Sequence, residues 1–140
     1  MTKLLPRLAP ALLLAALSAC AVIPDAPSPE SVALPQGTPV ALGQAVAVGP
    51  VVATPMEVVE DSRCPINARC VWAGRLVVRT RIDGAGWRDT ADLTLGEAWS
   101  THDIVLALAS GEPGRMAGEG QETPKEAYRF TFEAREGSAR

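Results

Sequence analysis

Few side chains in this 140-residue chain combine the types and spacing that chemistry requires. The natural starting points are three cysteines, Cys20, Cys64 and Cys70, and a single histidine, His102. Five residues separate Cys64 from Cys70, a spacing that suits a compact disulfide loop. A metal pair is the weaker reading, because only one His is present and no Cys-x-x-Cys occurs. Redox activity is weaker still without that short spacing. Asp61, Ser62 and His102 are the types a hydrolytic triad uses, but nothing around them supports one. His102 follows Ser100-Thr101 and precedes Asp103, and reads as part of a solvated turn. Asp61 and Arg63 read as a local salt bridge or turn cap. Glu119 and Glu122 fall in a flexible stretch that offers no rigid support for acid–base work. No GxSxG elbow, P-loop, HExxH or EF-hand loop is present. Trp72 is expected to pack over the cysteine pair in the core. Trp87 and Trp99 sit near turns, where a partly exposed Trp can anchor a contact. A non-catalytic chain without metal or cofactor is the expectation.

The elements that position these residues begin with a segment that is not part of the fold. Lys3 and Arg7 form a short positive region, and Leu8 to Ala19 is an apolar run broken only by Pro10 and Ser18. That is the layout of a secretory signal, residues 1–19, and the run is too short to span a bilayer. Leu17-Ser18-Ala19-Cys20 resembles the lipobox of bacterial lipoprotein precursors. The resemblance implies that Cys20 receives a diacylglycerol, that the chain is cut just before it, and that the new terminus is acylated. Two or three acyl chains would hold it stably to a membrane. Ala21 stands where Asp commonly marks inner-membrane retention, which leans toward an outer-membrane position facing the periplasm or the cell surface. An exported chain sits where disulfides persist, which favours a Cys64–Cys70 bridge and gives the odd cysteine a separate job.

Residues 20–37 then read as a Pro-rich spacer, with prolines at 24, 27, 29 and 35 and a further one at 39. Without Lys3 and Arg7, 13 basic residues become 11 against 16 acidic ones, a net charge of −5. Such a chain has no electrostatic reason to bind nucleic acid or anionic lipid, and the lipid rather than charge would hold it to the membrane.

From 38 to 136 the sequence reads as one small all-β domain, followed by a short tail at 137–140. Leu76, Val78, Thr80 and Ile82 alternate with Arg75, Val77, Arg79 and Arg81, the period of a strand with one wet face. Asp83-Gly84 marks a turn, so 70–83 and 87–95 predict a hairpin. Tyr128, Phe130, Phe132 and Ala134 form the inward set of a last strand. Runs near 38–48 and 51–60 read as buried strands, and Ile104 to Ala109 as another. Six to seven short strands predict an antiparallel β-sandwich of immunoglobulin-like size, or a barrel. Residues 110–124, with four glycines and two prolines, read as a long disordered loop.

The segment Asp61-Ser62-Arg63-Cys64-Pro65, a short loop, then Cys70-Val71-Trp72-Ala73-Gly74 resembles a motif of small exported bacterial proteins, many of them lipoproteins. Specific residues match over 61–74, and the layout matches over the whole domain, including the closing strand Ala127-Tyr128-Arg129-Phe130-Thr131-Phe132. The resemblance implies a common small β fold with a disulfide hairpin, and brings no activity with it. Asp61, Ser62, Arg63, Pro65, Trp72 and Gly74 are the candidate contact residues of this hairpin. The expected role is that of an anchored binding, scaffolding or envelope-maintenance module with an envelope protein as partner. An inhibitor of an envelope protease or muramidase, and a small periplasmic hydrolase using Ser62 or His102, are the alternatives.

Overall fold

A computed structural model describes residues 32–136. Residues 1–19, read above as a signal segment, the expected lipidation site Cys20, most of the 20–37 spacer and the 137–140 tail lie outside the described residues.

Seven antiparallel strands form two sheets. The first holds β1 (Val46–Val48), β2 (Val51–Asp61), β3 (Leu76–Gly84) and β4 (Trp87–Thr94) in sequential order. The second holds β5 (Ala98–Thr101), β6 (Ile104–Glu112) and β7 (Arg129–Arg135), again sequential. The sheets do not close into a barrel, and the arrangement is a small β-sandwich. One turn of 3-10 helix, Lys125–Ala127, precedes β7.

Alternation decides which face each strand buries. Leu76, Val78, Thr80 and Ile82 of β3 are fully buried, as are Phe130 and Phe132 of β7 apart from a trace. Leu106 and Leu108 of β6, Leu93 of β4, and Val46, Val48 and Val51 complete the shared core. On the wet face, Arg79 bridges two neighbouring strands, meeting Glu57 of β2 and Asp92 of β4 at 3.0 Å each. Such exposed pairs set register more than stability.

Several boundaries differ from the alternation reading. The run 38–48 is strand only at Val46–Val48. Its earlier part crosses to the other sheet, where Val40 and Phe130 exchange two backbone hydrogen bonds of 2.9 and 2.8 Å. The folded unit also reaches back past residue 38. The N–H of Leu34 donates to the carbonyl of Ala45 and the N–H of Ala47 to that of Leu34, both at 2.8 Å. The N–H of Gly49 donates to the Gln36 side chain. β5 was invisible to the alternation because it is four residues long and only half buried. β3 begins at Leu76 rather than near residue 70. Pro55 lies inside β2, whose pairing with β3 shifts register on both sides of Val58, as a residue without an N–H favours.

Candidate functional site

The chain leaves β2 at Asp61 and returns into β3 at Leu76. The pairing does not stop with the strands. The N–H of Ser62 donates to the carbonyl of Arg75 at 2.8 Å, and that of Cys64 to the carbonyl of Ala73 at 3.0 Å. The Ser62 hydroxyl donates to Glu60 at 2.7 Å and accepts the Arg75 N–H at 3.0 Å, which occupies it in closing the hairpin base. Gly74 makes this approach feasible. Its φ is +66°, and a Cβ there would overlap the carbonyl of Ser62. Beyond this neck, Cys64 and Cys70 form a disulfide with Cα atoms 5.8 Å apart, and Pro65 starts a turn closed by the Ala68 N–H at 3.1 Å.

Closing so short a loop constrains the unfolded chain modestly. Cys64→Ser/Cys70→Ser is expected to cost about 2 kcal/mol on the chain-entropy account. The measurement is urea denaturation: the midpoint should fall while the slope stays nearly constant.

A buried polar cluster sits under this loop. The Asp61 side chain is 8% exposed and that of Arg63 17%. Arg63 Nε donates to Asp61 Oδ1 and Nη2 to Oδ2, both at 2.8 Å, a bidentate pair. Its Nη1 donates to the carbonyl of Gly111 at 2.6 Å and Nη2 to that of Pro113 at 3.1 Å. The Tyr128 hydroxyl donates to Asp61 Oδ2 at 2.8 Å. The cluster thereby ties β2 to the end of β6 and the start of β7. The local Asp61–Arg63 salt bridge read from the sequence is present. Tyr128, the single tyrosine of the chain, is the member that sequence reasoning missed. Its signal was a hydroxyl at the first inward position of an otherwise apolar strand face.

Burial alone would raise the Asp61 carboxyl pKa. Hydrogen bonds from Arg63 and Tyr128, with the Arg63 charge, outweigh it and hold the carboxyl below its ordinary range. The Asp61 hydrogen bond, working against burial, raises the Arg63 guanidinium. Burial, followed by the Asp61 contact, pushes the Tyr128 phenol up. A carboxylate with a depressed folded pKa contributes stability that is complete above its unfolded pKa. That contribution is lost as pH falls through the folded value. The domain should therefore hold this contribution from neutrality down to about pH 4, and lose it below. Thermal melts across that range check it.

The segment read as a disordered loop at 110–124 is ordered over its first half. β6 continues to Glu112, and residues 115–117 pack on the disulfide loop. The N–H of Ile66 donates to the carbonyl of Arg115 at 2.9 Å, and Arg115 Nη1 to that of Arg63 at 2.9 Å. The Asn67 amide both donates to the carbonyl of Ala117 and accepts its N–H. Featureless composition hid these contacts because one side of nearly every bond is a backbone atom, which carries no sequence signature.

Trp72 is not in the core. It is 82% exposed, beside Val71 at 90%. The positive φ of Gly74 and the disulfide turn 70–73 away from the sheet, so the period-2 pattern that starts at Leu76 does not extend back to Trp72. Ser62 and Arg63 are engaged within the hairpin, and Pro65 shapes its turn.

His102 lies at the opposite end of the sandwich, in the β5–β6 turn. Its ring stacks on Trp87 at a centroid distance of 4.0 Å, and Thr101 Oγ1 hydrogen-bonds Asp89 at 2.7 Å. With φ of 46° and 61°, His102 and Asp103 form the kind of turn that a two-residue hairpin prefers. The nine residues of β6 separate this end from Asp61 and Ser62, about 25 Å at strand rise. The structure therefore does not bring Asp61, Ser62 and His102 together. Among the described residues no three His, Cys, Asp or Glu side chains converge as metal ligands.

The chain matches no family model, no curated protein and no solved structure. The functional reading thus rests on its own residues. The disulfide end is where they concentrate: a buried, internally satisfied ionic frame carrying an exposed apolar tip.

Proposed function

We propose that this chain is a lipid-anchored lipoprotein of the cell envelope whose β-sandwich is a non-catalytic contact module. The anchor is Cys20 in its lipobox setting, and the leaning from Ala21 is to the outer membrane, facing the periplasm or the exterior. The observation that carries the contact role is the exposure of Val71 and Trp72 on a loop held by the Cys64–Cys70 bridge and the Asp61–Arg63–Tyr128 cluster. Isolated exposed apolar residues are ordinary. An adjacent pair on a clamped tip is the form a recognition anchor takes. The Asp61, Arg63 and Tyr128 polar atoms bond one another and the backbone, which suits a frame better than a reacting group.

Mass spectrometry of the protein isolated from membranes tests the anchor. The expected result is acyl mass on Cys20 and no thiol open to alkylation before reduction. Cys20→Ser should move the protein from the membrane to the soluble fraction; unchanged fractionation with an unmodified Cys20 rejects the anchor. The contact role predicts that Val71→Ser/Trp72→Ser fails to rescue an envelope phenotype of the deletion strain that the wild-type chain rescues, while the melting temperature stays within about 2 °C.

The same protruding tip, backed by the packed 115–117 segment, favours a second reading as a plug for the cleft of an envelope protease or muramidase. Purified protein that leaves such enzymes unaffected at micromolar concentration removes that reading.

A further inference from the structure

The exposed apolar residues of the disulfide end are Ile66, Val71 and Trp72 on the loop and Met116 on the segment packed against it. The protruding segments carry arginines and no acid, Arg63, Arg69 and Arg75 in 62–75 and Arg115 in 113–117, while Glu60, Asp61, Glu97 and Glu112 stand at their base. Arg63 and Arg75 are paired with Asp61 and Glu60, whereas Arg69 enters no ion pair among the described residues. The acidic turn residues Asp83, Asp89 and Asp103 lie at the other end of the sandwich.

The direction of the chain adds an independent constraint. Leu34 pairs in parallel with Val46 of β1, and β1 is antiparallel to β2. Followed backward from Leu34 to Val32, the chain therefore heads the way β2 runs, toward the end that holds Asp61 and the disulfide. Leu34 is level with Ala53, so Asp61 stands eight residues farther along β2, about 26 Å. Eleven residues lie between Cys20 and Val32, and that stretch can reach at most about 40 Å. A lipid on Cys20 is therefore within reach of the plane of the tip.

We propose that the tip is a bilayer-interface contact: Trp72, Val71 and Ile66 enter the headgroup region of the leaflet that holds the Cys20 lipid, with Arg69 on headgroup phosphate. The proposal rests on the lipoprotein reading above. Trp with aliphatic neighbours and a flanking Arg is the composition that settles at membrane interfaces. The patch is also a protruding loop rather than a groove, and a fluid interface needs no matching shape. A net negative chain does not prevent this, because the protruding loop 62–75 holds no acid and Arg69 enters no ion pair among the described residues.

The test uses full-length protein isolated from envelopes and reconstituted into vesicles of phosphatidylethanolamine and phosphatidylglycerol, with or without bromine on the acyl chains. Trp72→Phe provides the reference, since Trp87 and Trp99 remain and an exposed position tolerates the change. Bromolipid should quench wild-type emission and leave Trp72→Phe unchanged, and Arg69→Glu should weaken the quenching. Trp72 emission that is unquenched by bromolipid and equally open to iodide with and without vesicles overturns the proposal while the anchor stands. A photo-crosslinker at position 72 that captures a protein, without bromolipid quenching, also overturns it. Cys20→Ser separates the two readings: if that variant fractionates like wild type the anchor fails, and Trp72 quenching in the same vesicles still decides the tip.

Discussion

Phe130→Ala is expected to destabilise the domain by about 4 kcal/mol, the range for emptying a large aromatic site in a core. For a domain of roughly 100 residues that lowers the melting temperature by about 20 °C. Total stability for such a domain is about 5–15 kcal/mol, so this one substitution removes much of it. Three observations place the effect well inside that range rather than below it. Phe130 has no exposed surface. Its ring stacks on that of Tyr128 with centroids 5.6 Å apart. Its backbone receives Val40 from the N-terminal segment that closes the sandwich edge. Truncation opens a cavity at a junction of three elements, where collapse on one side pulls another out of register. Phe130→Leu keeps most of the volume and should cost about 1.5 kcal/mol. Differential scanning calorimetry on the pair checks both. A Phe130→Ala shift no larger than that of Phe130→Leu would reject the packing account.

Asp61→Ala should cost about 3 kcal/mol, near the lower end for breaking a buried ion pair. The cost comes from what is left behind. Arg63 loses its bidentate partner but stays covered, keeping only the carbonyls of Gly111 and Pro113, and the Tyr128 hydroxyl loses its acceptor. Tyr128→Phe removes one donor and should cost about 1 kcal/mol. In the double variant the two effects should not add, because each removes part of the same cluster. The gap between wild type and Asp61→Ala should also narrow as pH falls below about 4, where the unfolded carboxylate takes up its proton, and close as pH falls through the lower folded value. Chemical denaturation at neutral and acid pH measures this. A gap independent of pH would show that the loss is one of packing rather than of charge.

Much of the sandwich was legible because alternation is a local property. Leu76, Val78, Thr80 and Ile82 announce a strand and its buried face together, and Tyr128, Phe130 and Phe132 do the same for β7. The reading failed where a residue's place depends on something distant. Trp72 looked like core by type, yet Gly74 and the disulfide turn it outward. Val40 looked like part of one strand with Val46, yet it crosses to Phe130. The 110–124 segment looked structureless, yet the Asn67 and Arg115 side chains tie it to the hairpin by bonding backbone atoms across the gap.

The candidate site divides along the same line. Spacing pointed to a Cys64–Cys70 pair and proximity in sequence to an Asp61–Arg63 contact, and the structure holds both. Only the tertiary structure decided that Tyr128 completes the cluster, that Ser62 and His102 stand at opposite ends, and that Val71 and Trp72 face outward. Periodicity reports which face of an element is apolar. Which faces meet, and which are left uncovered, depends on contacts between residues far apart in the chain, and those are established only when the two sheets pack.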